Sequence, residues 1–168
     1  MAPELSRPLR LTGAPRDLTL AATPAEGAAL ARRYAILAVS SLTASVALRP
    51  IDGGRTRVTG RLRAEVTQAC VVSLEPVPQT VDVSLDLLIL PEGEAPTDDD
   101  PESPDEIESE QDRIDLGEVL AEQLALALDP YPRAPGAALP AEVTEPEAPA
   151  PAPTRMNPFA ALARRGGG

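Results

Sequence analysis

Three consecutive segments of this chain alternate apolar and polar residues, and this alternation limits the fold more than any other feature does. The segments span residues 42–48, 55–72 and 79–90. Successive side chains of a strand point to opposite faces of a sheet, so each segment has one apolar and one polar face. Asp52-Gly53-Gly54 predicts a turn after the first segment. We therefore expect a mostly antiparallel sheet with one face buried and the other in water.

The buried face of this predicted sheet is aliphatic, because the whole chain has one Phe, two Tyr and no Trp. Its residues are Leu42, Ala44, Val46, Leu48, Val58, Leu62, Ala64, Val66, Cys70, Val81, Val83, Leu85, Leu87 and Ile89. Gly60 interrupts the second segment, which indicates either a β-bulge or a close packing contact.

A first helix is predicted ahead of the sheet. Thr23-Pro24-Ala25-Glu26 has the pattern of a capping box, in which the hydroxyl and the carboxylate each bind a free backbone N–H group. Proline stands at the first helical position, where its missing N–H costs nothing. Leu30, Tyr34 and Leu37 mark one face, and we expect the helix to end near Ala38.

A second, strongly amphipathic helix is predicted after residue 113. Asp115 is the expected N-cap, Glu118 stands at the matching third position of a capping box, and Asp129-Pro130 ends the helix. The apolar residues recur at helical spacing and form one stripe, namely Leu116, Val119, Leu120, Leu124, Ala127 and Leu128. Fully burying one large aliphatic side chain contributes roughly 1.5–3 kcal/mol, so this helix should be a main stabiliser of the sheet.

Charge divides the chain into three regions. Residues 1–91 carry ten Arg and eight acids, residues 92–147 carry two Arg and eighteen acids, and residues 148–168 carry three Arg and no acid. The segment from Pro91 to Asp112 contains eleven acids and four prolines. It therefore has too little apolar surface for burial to offset the entropy that the chain would lose on ordering. Such a segment is typical of a solvated loop, or else of a nucleic-acid mimic or of a brake that competes for the protein's own basic surface.

These observations predict one α+β domain, a mostly antiparallel sheet packed by an N-terminal and a C-terminal helix. Residues 5–91 supply the sheet and first helix, residues 92–112 a disordered acidic loop, and residues 113–133 the amphipathic helix that completes the domain. Residues 134–156 are rich in Ala and Pro and are predicted to form a disordered linker.

The last segment, residues 157–165, breaks the Ala/Pro pattern and is predicted to be a short docking motif. Asn157 can cap a helical turn that Pro158 begins, while Phe159 and Leu162 form a short apolar edge. A short helical hook of this kind suits docking on a partner or on the body of the protein.

Four arginines are candidate RNA contacts, three on the polar face of the second strand segment and one that can join them across the hairpin. They are Arg49, Arg57, Arg61 and Arg63. Alternate residues of a strand lie about 6.6 Å apart, and arginine binds phosphate through two hydrogen bonds. No aromatic residue interleaves the set, whereas sheet-based readers of single-stranded RNA stack bases on aromatic rings. The alternative is that these arginines pair across strands with Glu65, Asp82 and Asp86.

The composition argues against an enzyme, a cofactor or a metal site. The chain has no His and a single cysteine, Cys70, which falls on the apolar face and is expected to be a buried, unreactive thiol. It also lacks a phosphate-binding glycine loop and a nucleophile elbow. No stretch approaches the ~20 apolar residues of a membrane span, and no signal peptide is evident, so we expect a cytoplasmic protein without membrane contact.

Four motifs follow one another along the chain. They are Cys70-Val71-Val72-Ser73-Leu74-Glu75-Pro76, Ile114-Asp115-Leu116-Gly117-Glu118, Leu128-Asp129-Pro130-Tyr131-Pro132 and Asn157-Pro158-Phe159-Ala160. In this order and spacing they resemble the YceD family of large ribosomal RNA subunit accumulation proteins, over nearly the whole chain from about residue 5. The single cysteine and the Leu-Asp-Pro-Tyr-Pro motif are similar to its alphaproteobacterial members.

The resemblance implies a non-enzymatic role in accumulation or processing of large-subunit ribosomal RNA. The positions that carry family motifs are Cys70, Asp115, Leu116, Glu118, Asp129 and Pro130. Many members have a second cysteine at the position of Ser73, and some have further cysteines near the C-terminus. This chain has neither, so the resemblance carries no metal or redox role over to Cys70.

Two functional hypotheses therefore stand side by side. In the first, a ribosome-biogenesis factor binds precursor large-subunit ribosomal RNA through its arginine face, or binds a ribosomal or assembly protein. In the second, an adaptor without direct RNA contact engages a basic partner, such as a ribosomal protein or a nuclease, through its acidic loop. The sequence does not indicate an oligomeric state.

Overall fold

The computed structural model describes residues 4–97 and 103–138. The elements are β1 (Pro8–Arg10), β2 (Arg16–Ala21), α1 (Pro24–Arg33), β3 (Ala38–Pro50), β4 (Thr56–Ala69), β5 (Pro76–Leu90), β6 (Asp105–Glu108), β7 (Arg113–Asp115) and α2 (Leu116–Ala127), with a 3₁₀ turn at Asp52–Gly54. This is the α+β class that the sequence predicts.

The strands form one large sheet and one small one. The large sheet has the order β2-β3-β4-β5-β6, in which β2 to β5 are antiparallel and β6 runs parallel to β5. The small sheet pairs β1 with β7 in antiparallel fashion. The prediction of a mostly antiparallel sheet is therefore confirmed.

The buried face of the sheet is the one that alternation predicts. All of the predicted core residues of β3, β4 and β5 are buried except Val83, which is half-buried. α2 adds Leu116, Val119, Leu120 and Leu124 to the same core, so the helix covers the apolar face of the sheet. Within residues 4–97 and 103–138, the helices are too short and too polar to cross a lipid bilayer.

Gly60 is required by a close contact, and β4 carries no bulge there. It pairs with Val46 of β3, and a Cβ built on Gly60 would lie 2.1 Å from the carbonyl oxygen of Ser45. The irregularity between these strands lies instead between Val39 and Ser41. Of the two interpretations of Gly60, close packing is the correct one.

The helix α1 begins as predicted but ends earlier. Thr23 and Glu26 form the reciprocal capping box, and the last helical residue is Arg33 rather than a residue near Ala38. The backbone of Ala35 is left-handed, with φ of 53°, which turns the chain directly into β3. Leu37 consequently lies outside the helix and is exposed, whereas Leu30 is fully buried.

Part of the predicted disordered acidic loop belongs to the sheet. Asp105–Glu108 forms β6, whose register pairs Ile107 with Ile89. Ser109 follows it, is buried, and donates a hydrogen bond from its hydroxyl to the carbonyl oxygen of Leu90 at 2.7 Å. The prediction of disorder was wrong for this stretch, because four residues that add to an existing sheet edge need little apolar surface of their own.

Several predictions fall on residues that the structure does not describe. Residues 98–102 of the acidic segment lie outside it, as do residues 139–156 of the predicted linker. The docking motif at 157–165, with Asn157, Pro158, Phe159 and Leu162, is also outside the described residues. These predictions stay predictions.

Candidate functional site

The four candidate arginines all lie on the water-exposed face of the sheet. Arg57, Arg61 and Arg63 project from alternate positions of β4, and Arg49 lies directly opposite Arg57 on β3. Between 48% and 65% of each side chain is exposed. The sheet therefore brings the four together on one accessible surface, which we call the arginine face.

Each of these arginines has a carboxylate partner on a neighbouring strand. Arg57 binds Asp86 through two hydrogen bonds of 2.9 and 2.7 Å. Arg61 and Arg63 share Asp82. The cross-strand pairing that sequence offered as the alternative is thus present for Asp82 and Asp86, and the hydrogen bond from Arg61 holds the pKa of Asp82 below its usual range.

The fourth arginine of the face, Arg49, is also ion-paired. Arg49 binds Asp17 of β2 at 2.6 Å, and Glu65 instead accepts a hydrogen bond from the hydroxyl of Thr80 at 3.0 Å. The four guanidinium groups pair with three carboxylates, those of Asp17, Asp82 and Asp86, and the Glu65 carboxylate makes the numbers of positive and negative groups on the face equal. Exposed ion pairs are weak because water and salt screen them, so a phosphate can compete for these arginines, but the face as a whole offers no net positive charge.

Cys70 lies in the turn between β4 and β5, fully buried. Its sulfur accepts hydrogen bonds from the backbone N–H groups of Val72, Ser73 and Ala134, at 3.4, 3.4 and 3.3 Å. The N–H of Ala134, the hydroxyl of Ser73 and the N–H groups of Ser73 and Val72 favour the thiolate and lower the pKa of Cys70 to about 6, although burial opposes this shift. The thiol is buried, as the sequence predicts, but the sequence did not predict the hydrogen bonds that favour its thiolate form.

The Leu-Asp-Pro-Tyr-Pro motif is anchored beside this turn. Gln79 of β5 donates from its side-chain amide to the carbonyl oxygen of Ala127, at the end of α2, at 3.1 Å. Gln68 of β4 donates likewise to the carbonyl oxygen of Asp129 at 2.9 Å. The motif positions Asp129 and Cys70 therefore help to attach the chain after α2 to the sheet, Asp129 through Gln68 and Cys70 through the N–H of Ala134, and Pro130 follows Asp129 directly.

The other family positions meet at the opposite end of α2. The Asp115 carboxylate accepts hydrogen bonds from the Ser6 hydroxyl at 2.5 Å, from the Arg7 N–H at 2.6 Å and from the first N–H groups of the helix. Burial raises the pKa of Asp115, but these donors outweigh it and hold the pKa below the usual range. Leu116 is buried, and a Cβ on Gly117 would lie 2.5 Å from the carbonyl oxygen of Leu5.

Asp115 is the predicted N-cap, but Glu118 does not complete a capping box. Its carboxylate binds Arg33 at the end of α1 through hydrogen bonds of 2.9 and 2.6 Å. Arg7 in turn binds both oxygens of Glu26, whose pKa falls to about 2 because of the hydrogen bond from Arg7. Arg7 therefore joins the N-terminal segment to the first turn of α1 and, through its N–H, to the N-cap of α2. The sequence pattern does not predict these contacts.

A cleft of about 940 Å³ opens beside the N-terminal half of α2. Ile107 of β6, Ile114 of β7 and Val119 of α2 contribute apolar surface to it. Its carboxylates are those of Glu92, Glu108, Glu110, Asp115, Glu118 and Glu122, and its one guanidinium is that of Arg113. We call this site the acidic cleft.

The carboxylates of the acidic cleft fall into two groups. Asp115 and Glu118 are occupied in holding the fold. Glu92, Glu108, Glu110 and Glu122 are exposed and make no ion pair with any residue in the described part of the chain. Sequence reasoning gave these four no individual role, since the only signal was the density of acids in the region.

The fold and its surfaces define an α+β protein that offers two charged surfaces, one balanced and one acidic. The sequence model of the YceD family, described as large ribosomal RNA subunit accumulation protein YceD, matches residues 58–164. That is more than half of the 168 residues, and the chain belongs to this family. The match begins within β4, so α1, β1, β2 and β3 precede it. No curated protein and no solved structure matches the chain.

The environment of Cys70 gives a direct prediction. The chain has one cysteine, so the ultraviolet absorbance of the thiolate reports Cys70 alone, with Cys70→Ala as the blank. We expect a titration midpoint near 6 in the folded protein. Because the folded state favours the thiolate, its contribution to the free energy of unfolding is complete above about pH 8.5 and is lost as the pH falls through about 6. A midpoint at or above about 8.5 would show that the N–H groups do not stabilise the thiolate.

Proposed function

We propose that this protein is a non-enzymatic, cytoplasmic ribosome-biogenesis factor that supports large-subunit ribosomal RNA accumulation by binding a protein of the assembling subunit. Family membership supports the connection with large-subunit ribosomal RNA. One observation favours a protein partner: in the described residues the four candidate arginines are ion-paired, whereas four carboxylates of the acidic cleft are not.

The contrast matters because an unpaired exposed charge is available to a partner without the rupture of an existing ion pair. A basic protein that approaches the cleft meets Glu92, Glu108, Glu110 and Glu122, while Arg113 is the one opposing charge. RNA that approaches the same cleft is repelled. Ribosomal proteins and assembly factors that bind RNA carry the basic charge that such a cleft recognises.

The division of the chain fits this proposal. The body would comprise residues 5–91 with 113–133, and the acidic segment 92–112 would supply both β6 and part of the cleft. Residues 134–156 would act as a linker that carries the motif at 157–165 to a second docking point. In this arrangement the body binds one partner surface and the motif with Phe159 binds another.

Direct RNA contact through the arginine face is the second candidate. It is favoured by the exposure of all four guanidinium groups and by their placement among small hydroxyl residues such as Thr43, Ser45 and Thr59 on the same face of the sheet. A phosphate that replaced Asp82 or Asp86 would form the same paired hydrogen bonds with arginine. This candidate requires the phosphate backbone to displace existing ion pairs.

Crosslinking in cells tests the protein-binding proposal. We expect crosslinked peptides from basic ribosomal or assembly proteins of the large subunit, mapped by mass spectrometry to residues of the cleft. The double substitution Glu108→Gln and Glu110→Gln should remove these crosslinks, because it deletes two unpaired charges and keeps side-chain size.

The matched control is Asp52→Asn with Glu65→Gln, which also removes two exposed carboxylates but lies away from the cleft. Crosslinks that persist in the cleft variant, or that vanish equally in the control, would exclude the cleft as the binding surface.

Salt dependence of RNA binding tests the second candidate. If the arginine face binds RNA, Arg57→Ala with Arg61→Ala should weaken binding to fragments of large-subunit precursor RNA and reduce the salt slope by about one for each phosphate that the variant no longer neutralises. Arg10→Ala with Arg32→Ala is the control, since both arginines are exposed and neither forms an ion pair in the described residues. An unchanged slope in the first variant would eliminate this face as an RNA site.

A further inference from the structure

We infer that the acidic cleft binds an extended polypeptide segment in which basic side chains alternate with aliphatic ones. The inference rests on the proposed function, whose partner it specifies more narrowly. It draws on three properties of the cleft: its apolar floor, the placement of its unpaired carboxylates, and the strand that forms one wall.

The lining of the cleft includes aliphatic side chains from three separate elements, which together we call its apolar floor. Ile107 belongs to β6, Ile114 to β7 and Val119 to α2. Ile114 and Val119 are nearly buried, at 7% and 8% exposure, while Ile107 is half-buried. A purely polar ligand would leave this surface in water, so an occupant that carries aliphatic side chains gains more.

The free carboxylates stand beside this floor rather than together. Glu108 follows Ile107 directly, and Glu122 lies three residues after Val119 on the same side of the helix. No group of three acidic or other metal-binding side chains in the described residues is close enough to hold a metal ion. The carboxylates therefore suit several separated cations along one ligand rather than a single divalent ion.

An extended segment matches both features at once. Successive side chains of a strand point to opposite sides, so one set can enter the apolar floor while the other reaches the acidic walls. A volume of about 940 Å³ lies near the upper end of sites for small molecules and is open to a short length of chain. Arginine or lysine on the second set would pair with Glu108, Glu110 and Glu122.

The wall formed by β6 also favours an extended partner. β6 is the last strand in the order of the large sheet, and its four residues pair with β5 on one side. Its Ile107 and Glu108 line the cleft. Backbone groups on the outer edge of a terminal strand are free to bind an added strand, which is a common way for proteins to recognise peptides.

Synthetic peptides test the pattern directly. The probe is a fluorescein-labelled ten-residue peptide of alternating Arg and Val, and the comparison peptide has the same composition arranged as a block of Arg followed by a block of Val. Binding to the full chain is measured by fluorescence anisotropy. We expect the alternating peptide to bind at least about tenfold more tightly, because only it presents basic and aliphatic side chains on opposite sides.

Substitutions then locate the bound peptide. Glu108→Gln with Glu110→Gln should weaken the alternating peptide about tenfold or more, while Asp52→Asn with Glu65→Gln should leave its affinity unchanged. Thermal unfolding of each variant separates lost binding from lost folding. If a variant does not fold, the peptide can be located on the unsubstituted protein instead. Titration with the alternating peptide should then shift the amide NMR signals of Ile107, Ile114 and Val119.

The outcomes separate this inference from the proposed function. Equal affinity for the two peptides, or amide shifts confined to other residues, would overturn the alternating-segment inference. The proposed function would still stand if the cleft substitutions removed the crosslinks in cells. Self-association of the chain that is abolished by the cleft substitutions would assign the site to a second copy and overturn the inference in favour of a dimer.

Discussion

The hydrogen bonds of the Asp115 carboxylate are the interaction on which the rest of the structure depends. This carboxylate caps α2 and also accepts hydrogen bonds from the Ser6 hydroxyl and the Arg7 N–H, which are 109 and 108 residues away in sequence. It thereby fixes the N-terminal segment against the start of the helix that covers the core. Since Asp115 also lies in the wall of the acidic cleft, the same group shapes the candidate binding surface.

The motif positions in the described residues make structural contacts at the two ends of α2. Asp115 and Gly117 hold one end of α2, whereas Cys70 and Asp129 belong to the contacts that hold the other end. The four carboxylates of the acidic cleft that make no ion pair in the described residues, such as that of Glu108, belong to side chains outside the motifs.

The sequence predicts the elements whose pattern is local and fails where a contact is distant. Alternation in β3, β4 and β5 identifies the buried face, and the Thr23 capping box identifies the start of α1. β6 could not be predicted, because an acidic tetrapeptide becomes a strand only when the edge of β5 is available. The sequence predicts that the four arginines share one face, and it offers their pairing with Asp82 and Asp86 as one of two alternatives. Choosing between these alternatives requires the strand register, which alternation alone does not determine.

Native-state hydrogen exchange on Asp115→Ala tests the central role of this carboxylate most directly. In the folded protein the N–H of Leu11 binds the carbonyl oxygen of Asp112, and the N–H of Leu116 binds that of Arg7. Loss of the carboxylate should expose both amides to exchange while the amide of Val46, in the middle of the large sheet, stays protected. Equal protection of Leu11 and Leu116 with and without the carboxylate would contradict the account.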